Sequence, residues 1–171
     1  MEALLIIDMI NDFLDPKGVL YCGAEVRQII TPLAKHLSRF RAAQRLVIYL
    51  CDQHAEDDPE FQVFPRHAVK GSWGAEIIPE LAPQKGELII PKTRFSGFFK
   101  TNLEEVLRAH HIERVVLTGV CTSICVMDTA ADAFFRDFKI TVLQDAVGDF
   151  DLEMHRFALK RMERIYQAEI K

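Results

Sequence analysis

The sequence predicts an α/β fold: three layers, α/β/α, around a mostly parallel, Rossmann-like six-stranded sheet. Three observations carry that expectation. Short apolar runs recur along the chain, each too short for a helix and rich in Leu, Ile and Val, as strands buried on both faces require. Amphipathic stretches separate them, so strand and helix alternate. The polar residues that break the pattern fall just after the apolar runs, where open parallel sheets bind their ligands.

The strands are expected at residues 3–7, 46–51, 87–91, 114–118 and 139–143, with a short sixth from Ala168 to Ile170. Helices are expected at roughly 24–43, 102–111, 124–136 and 152–165. Thr101 followed by Glu104 reads as a capping box for the second of these, and Asp151 as the N-cap of the last. Nothing in the sequence repeats or reads as a linker, so residues 1–171 are expected to form one domain. The irregular stretch 52–74 is long for a compact domain, and such stretches are usually functional.

Composition narrows the function. The chain has 49% apolar and 27% charged residues and a net charge of −4, ordinary values that argue against nucleic acid or an anionic membrane as partner. No apolar run approaches a membrane span, and Ala3–Ile7 lacks the flanks of a signal peptide. Cys22, Cys51, Cys121 and Cys125 form no disulfide framework, so a cytoplasmic location is expected.

Asp8 ends the first strand, Asp52 and His54 follow the second, Lys92 the third, and Gly119 to Cys125 the fourth. A carboxylate, a lysine and a cysteine thus meet at one sheet edge and supply a base, a cation and a nucleophile. Cys125, at the expected start of a helix and near Lys92, is expected to be held as a thiolate. Asp52, His54 and His67 suit zinc, iron or manganese. Glu60 is a candidate fourth ligand, with Asp57 and Asp58 competing. Cys22 and Cys51 read as small buried apolar residues. Cys121 and Cys125 lie four apart, not at the redox spacing, with a minor regulatory disulfide open. His36, His110, His111 and His155 read as surface or packing residues. No Gly-x-Gly-x-x-Gly follows the first strand, which argues against a dinucleotide site.

Three segments in order carry a resemblance: Leu5-Ile6-Ile7-Asp8-Met9-Ile10-Asn11-Asp12-Phe13, Pro91-Lys92-Thr93-Arg94-Phe95-Ser96-Gly97-Phe98 and Gly119-Val120-Cys121-Thr122-Ser123-Ile124-Cys125-Val126. Together they resemble the isochorismatase-like cysteine hydrolases over nearly the whole chain. Asp52-Gln53-His54 with Phe64 to Gly71 is similar to the metal segment of the nicotinamidase branch.

The resemblance implies Asp8, Lys92 and Cys125 as catalytic residues. It implies a divalent metal, zinc foremost, on Asp52, His54 and His67, with Glu60 matching a further acidic position. It also implies Phe13 and Phe64 flanking a substrate ring, and a cis Val120–Cys121 peptide that aims the N–H of Cys121 beside that of Cys125 as an oxyanion hole. The implied reaction converts nicotinamide to nicotinate and ammonia through a thioester. Self-association is common among such relatives. Hydrolysis of another small amide or carbamoyl compound is the first alternative, and a non-catalytic metal-binding or redox-sensing domain the second. Ser123 stands where many relatives have aspartate, and Phe64 where tryptophan is frequent.

Overall fold

The computed structural model describes all residues, Met1–Lys171. Six strands form one sheet: β1 (Glu2–Ile7), β2 (Leu46–Asp52), β3 (Leu88–Lys92), β4 (Arg114–Val120), β5 (Lys139–Gly148) and β6 (Glu169–Ile170). Their order is β3-β2-β1-β4-β5-β6 and every pairing is parallel. The chain builds outward from β1 to β3, then crosses back to place β4 on the other flank of β1. Strand order therefore reverses between β1 and β4, and a crevice opens beyond their carboxyl ends.

The continuous hydrocarbon of β1 follows from its central position. Successive side chains point to opposite faces, so Ala3, Leu5 and Ile7 enter one apolar core while Leu4 and Ile6 enter another. The second core is closed by α2 (Ile30–Ala42) through Leu33, Leu37 and Phe40. The first core is closed by α3 (Leu103–Ala109), α4 (Met127–Phe134) and α5 (Leu152–Ile165), through residues such as Leu107, Ala130 and Met162. Full burial of a side chain such as Leu37 is worth about 2–3 kcal/mol. A single turn, α1 (Asn11–Leu14), follows β1.

The expected elements shift where local chemistry intervenes. Regular helix starts at Ile30, not near 24, after a 3-10 turn at Val26–Ile29. Pro32 lacks an N–H, and a start at Ile30 keeps it in the first helical turn, where no donor is missed. The Thr101–Glu104 capping box does not form. Asn102 is the N-cap and makes no side-chain cap bond. Thr101 Oγ1 donates to the Gly97 carbonyl at 2.5 Å, and Glu104 pairs with Arg136 instead. Asp151 does cap α5, accepting from the N–H groups of Glu153 and Met154. β5 runs five residues beyond the expected 143, after a register irregularity opposite Leu117 to Gly119.

Gly119 is required at the crevice. Its φ is 105°, and a Cβ there would overlap the carbonyl oxygen of Ile7. This close approach brings the end of β4 against Asp8. The irregular 52–74 stretch is drawn in by a bridge between His54 and Val69: His54 N–H donates to Ala68 O, and Lys70 N–H to His54 O, both at 2.9 Å.

Candidate active site

Asp8 directly follows β1 with φ 54°, a left-handed conformation uncommon outside glycine. Its N–H donates to Leu50 O (2.8 Å) and its Oδ1 accepts from Asp52 N–H (2.8 Å). The carboxylate is thus pinned across the β1–β2 edge with no access to solvent. Lys92 ends β3 and is 1% exposed. Its Nζ lies 2.7 Å from Asp8 Oδ2, 2.5 Å from Asp52 Oδ1 and 3.6 Å from Cys125 Sγ. The contact to Asp8 Oδ2 is an ion pair off the hydrogen-bond direction, so that buried oxygen keeps a lone pair without a donor. Asp8, Asp52 and Cys125 offer atoms within 4.8 Å of one another. The expected convergence of Asp8, Lys92 and Cys125 is present.

The ionisation differs from the expectation. Burial, and then the neighbouring Asp52 carboxylate, raise Asp8 to about 6 against the pull of Lys92. For Lys92, burial opposes the charge, but Asp52 and Asp8 outweigh it and hold the ammonium well above its ordinary value. Burial pushes the Cys125 thiol well up; Lys92 pulls it down, but Asp8 and Asp52 add to the rise. Two carboxylates share one lysine, so the cation is spent on them. Cys125 therefore rests as a thiol beside a carboxylate that can take its proton, not as the preformed thiolate expected from helix start and lysine alone. Nor is it at the first turn of a regular helix: it is the fourth residue of a wide π-type turn, Thr122–Val126, that leads into α4.

The Val120–Cys121 peptide is cis. The N–H of Cys121 makes no hydrogen bond within the protein, while Cys121 O accepts from Ile124 and Val126. Two groups given no site role in the sequence hold this turn. Asp149, just past β5, accepts from Ser123 N–H at 2.7 Å. His155 of α5, read as a packing residue, contacts Thr122 Oγ1 at 2.9 Å. A carboxylate thus meets the Ser123 position from another strand.

A second cluster adjoins the first through Asp52. Its Oδ2 lies 3.8 Å from His54 Nε2 and 4.0 Å from His67 Nε2, and Glu60 Oε1 lies 3.9 Å from both nitrogens. These separations exceed hydrogen bonds; Asp52, His54 and His67 offer atoms within 4.8 Å of one another, as ligands of one ion do, and Glu60 borders both imidazoles. His54 Nε2 is buried with no partner, which is costly in a dry site. The opposite ring nitrogens are engaged: His54 Nδ1 on Asp58 Oδ2 (3.1 Å), His67 Nδ1 on Pro65 O (2.7 Å). That leaves both Nε2 atoms aimed inward, as carboxylate- and carbonyl-bound imidazole ligands are. Asp52, His54, His67 and Glu60 could hold a divalent metal. Asp58 instead orients His54 and is itself held by Arg94 at 3.0 Å; Asp57 is in none of these contacts.

Both clusters open on one cavity of about 370 Å³, lined mainly by apolar side chains. Phe13 and Phe64 are both in its wall, their rings 5.7 and 6.3 Å from that of His67. Phe95, which lies in the Pro91–Phe98 segment, and Phe150 also line it and were not singled out in the sequence. Asp52, Glu60 and His67 are its polar members beside the cysteines, and no Lys or Arg is among the lining residues.

The family described as the isochorismatase domain matches residues 2–170. Among solved structures, a nicotinamidase/pyrazinamidase from Bacillus subtilis superposes with a TM-score of 0.94 at 35% identity, covering 99% of this chain and 98% of that one. An N-carbamoylsarcosine amidase from Thermoplasma acidophilum gives 0.91 at 38% identity, covering 99% and 95%. A pyrazinamidase from Pyrococcus horikoshii, solved in complex with zinc, gives 0.93 at 32% identity, covering 99% and 98%.

Proposed function

This chain belongs to the isochorismatase family, and we propose that, within that family of hydrolases, it is a cysteine amidohydrolase converting nicotinamide to nicotinate and ammonia. The carrying observation is the buried cluster in which Lys92 Nζ touches Asp8, Asp52 and Cys125 at once.

Asp8, raised to about 6, ionises below neutral pH yet is more basic than an ordinary carboxylate and can accept a proton. Cys125 passes its proton to the free Asp8 Oδ2 as sulfur attacks the carboxamide carbon. The tetrahedral oxyanion is held by the N–H groups of Cys121 and Cys125, each such donor being worth about 3 kcal/mol. Asp8 returns the proton to the departing nitrogen, which leaves as ammonia, and a thioester remains. Asp8 next takes a proton from water, whose oxygen attacks the thioester. The Cys125 thiol is regenerated and nicotinate released. Lys92 holds both carboxylates in register throughout. Asp52, His54 and His67, with Glu60 beside them, would hold a divalent metal, zinc by their donor set, and that ion would supply a Lewis acid for the substrate ring. Phe13 and Phe64 flank the ring.

The cavity lining favours this substrate over a carbamoyl amino acid. Phe13, Phe64, Phe95 and Phe150 line it and suit the face of an aromatic ring, whereas N-carbamoylsarcosine has no ring to stack.

The test is ammonia release from nicotinamide, benzamide, which lacks the ring nitrogen, and a carbamoyl amino acid, with and without chelator. Nicotinamide should turn over, chelator should remove binding, and Cys125→Ala should abolish release while staying folded. Turnover that survives Cys125→Ala overturns the reading. Turnover confined to the carbamoyl compound moves it to the sister activity.

A further inference from the structure

The sulfurs of Cys22 and Cys121, 99 residues apart in sequence, lie 3.6 Å from each other in the cavity wall. Neither is the nucleophile, and the proposed reaction uses neither thiol. Cys22 Sγ also approaches Leu20 O at 3.6 Å. It sits on a non-helical segment beside Gly23, whose φ of 105° marks a turn. We propose that Cys22 and Cys121 form a second reactive site, a thiol pair that hydrogen peroxide closes to a disulfide.

The chemistry balances on the two thiols and one peroxide. One sulfur attacks the O–O bond, becoming a sulfenic acid and releasing water. The other displaces hydroxide from that sulfenic sulfur, and the second water leaves with its proton. Two thiols are oxidised by two electrons and one peroxide is reduced. The sulfurs must close by about 1.5 Å to reach bonding distance, and because Cys22 N–H is held on Phe13 O at 2.9 Å, Cys121 moves as well as the segment at Gly23. Oxidant reaches both through the cavity mouth. Contact with Cys22 and burial push the Cys121 thiol up, so its own attack is favoured by alkaline pH.

The spacing of Cys121 and Cys125 left a disulfide between those two open; the structure instead puts Cys121 sulfur against Cys22. Closure also has a consequence that rests on the amidase reading. Pulling Cys121 toward Cys22 shifts the N–H proposed for the oxyanion, and a displacement near 1 Å costs about 10²-fold in rate.

Two measurements separate the pair from the amidase reading. The first uses Cys125→Ala, treated with hydrogen peroxide, alkylated and mapped without reduction. A linked pair of peptides containing Cys22 and Cys121, two hydrogens lighter than their sum, is expected, and Cys22→Ser should remove it. Free Cys22 and Cys121 after prolonged peroxide at alkaline pH would overturn the proposal whatever the enzyme hydrolyses. The second compares turnover after peroxide. The unsubstituted protein should lose about 10²-fold, restored by dithiothreitol, while Cys22→Ser should lack that recoverable loss. Equal recoverable loss in both would overturn the coupling of the disulfide to turnover.

Discussion

Replacing Lys92 with methionine separates the charge of the site from its packing, because methionine keeps most of the buried volume. In the unsubstituted protein the ammonium faces Asp8 at 2.7 Å and Asp52 at 2.5 Å, all three side chains being essentially without solvent. Removing one member of a buried ion pair costs about 3–5 kcal/mol, and here two carboxylates lose the same partner. They respond by holding a proton. Asp8 already binds one more tightly folded than unfolded, at about 6 against an ordinary 3.8. That gap corresponds to about 3 kcal/mol of stability, present below pH 3.8 and lost as pH rises through 6. Without the lysine's pull the folded value climbs beyond 6, so the window widens toward neutrality. The variant should therefore lose more stability relative to the unsubstituted protein at pH 8 than at pH 5. Urea denaturation at both values measures this, and the stability difference cancels contributions from groups the mutation does not touch. The acid limb of kcat/KM should move up as well, since a protonated Asp8 cannot receive the Cys125 proton. A variant equally destabilised at both pH values, or an acid limb still near 6, would refute the assignment of Lys92 as the cation that keeps Asp8 ionised.

Gly119→Ala should destabilise the fold by more than the ordinary few tenths of a surface change, because its Cβ meets the Ile7 carbonyl in a left-handed backbone region; a melting temperature within a degree of the unsubstituted protein would contradict this. His54→Ala should weaken metal retention by at least 10-fold, read by competition with a chromophoric chelator, yet leave Cys125 alkylation unchanged. Asp52→Asn should alter both readouts, because one carboxylate serves both clusters. Retained metal affinity in either variant would remove that residue from the proposed ligand set.

The strands were legible because burial on both faces writes itself as unbroken hydrocarbon, and β1 has it from Ala3 to Ile7. The end of β5 was not, because Gln144 and Asp145 are exposed there and interrupt the run before Ala146 to Gly148 bury again. Convergence of Asp8, Lys92 and Cys125 followed from each lying at or just beyond the carboxyl end of a parallel strand. Their ionisation did not follow, since it depends on how many carboxylates share one ammonium, and Asp52 could only be counted against Lys92 once Oδ1 was seen on Nζ. The acidic residues of the 52–60 segment were indistinguishable by spacing. Asp58 and Glu60 separate only in space, one on the back nitrogen of His54 and the other facing its Nε2. Cys22 gave no signal because its partner comes from the far side of the chain's topology.

Asp52 is where the two proposed functions of the site are joined. Its backbone N–H fixes Asp8 Oδ1, its Oδ1 holds Lys92, and its Oδ2 faces the imidazoles of His54 and His67. Burial opposes its charge, but Lys92, and then His54, keep it below the ordinary carboxylate range, so it stays anionic at acidic pH where Asp8 takes up a proton. That division of labour follows from position on the sheet. Asp52 ends β2, between β1 and β3, and pairs in register with Lys92. A residue there reaches one cluster with each carboxylate oxygen, whereas Asp8, one strand over at the switch point, reaches Lys92, Cys125 and the Asp52 N–H but neither imidazole. The fold thus yields two neighbouring carboxylates of opposite habit: one permanently charged, suited to holding cations, and one poised near neutrality, suited to moving a proton.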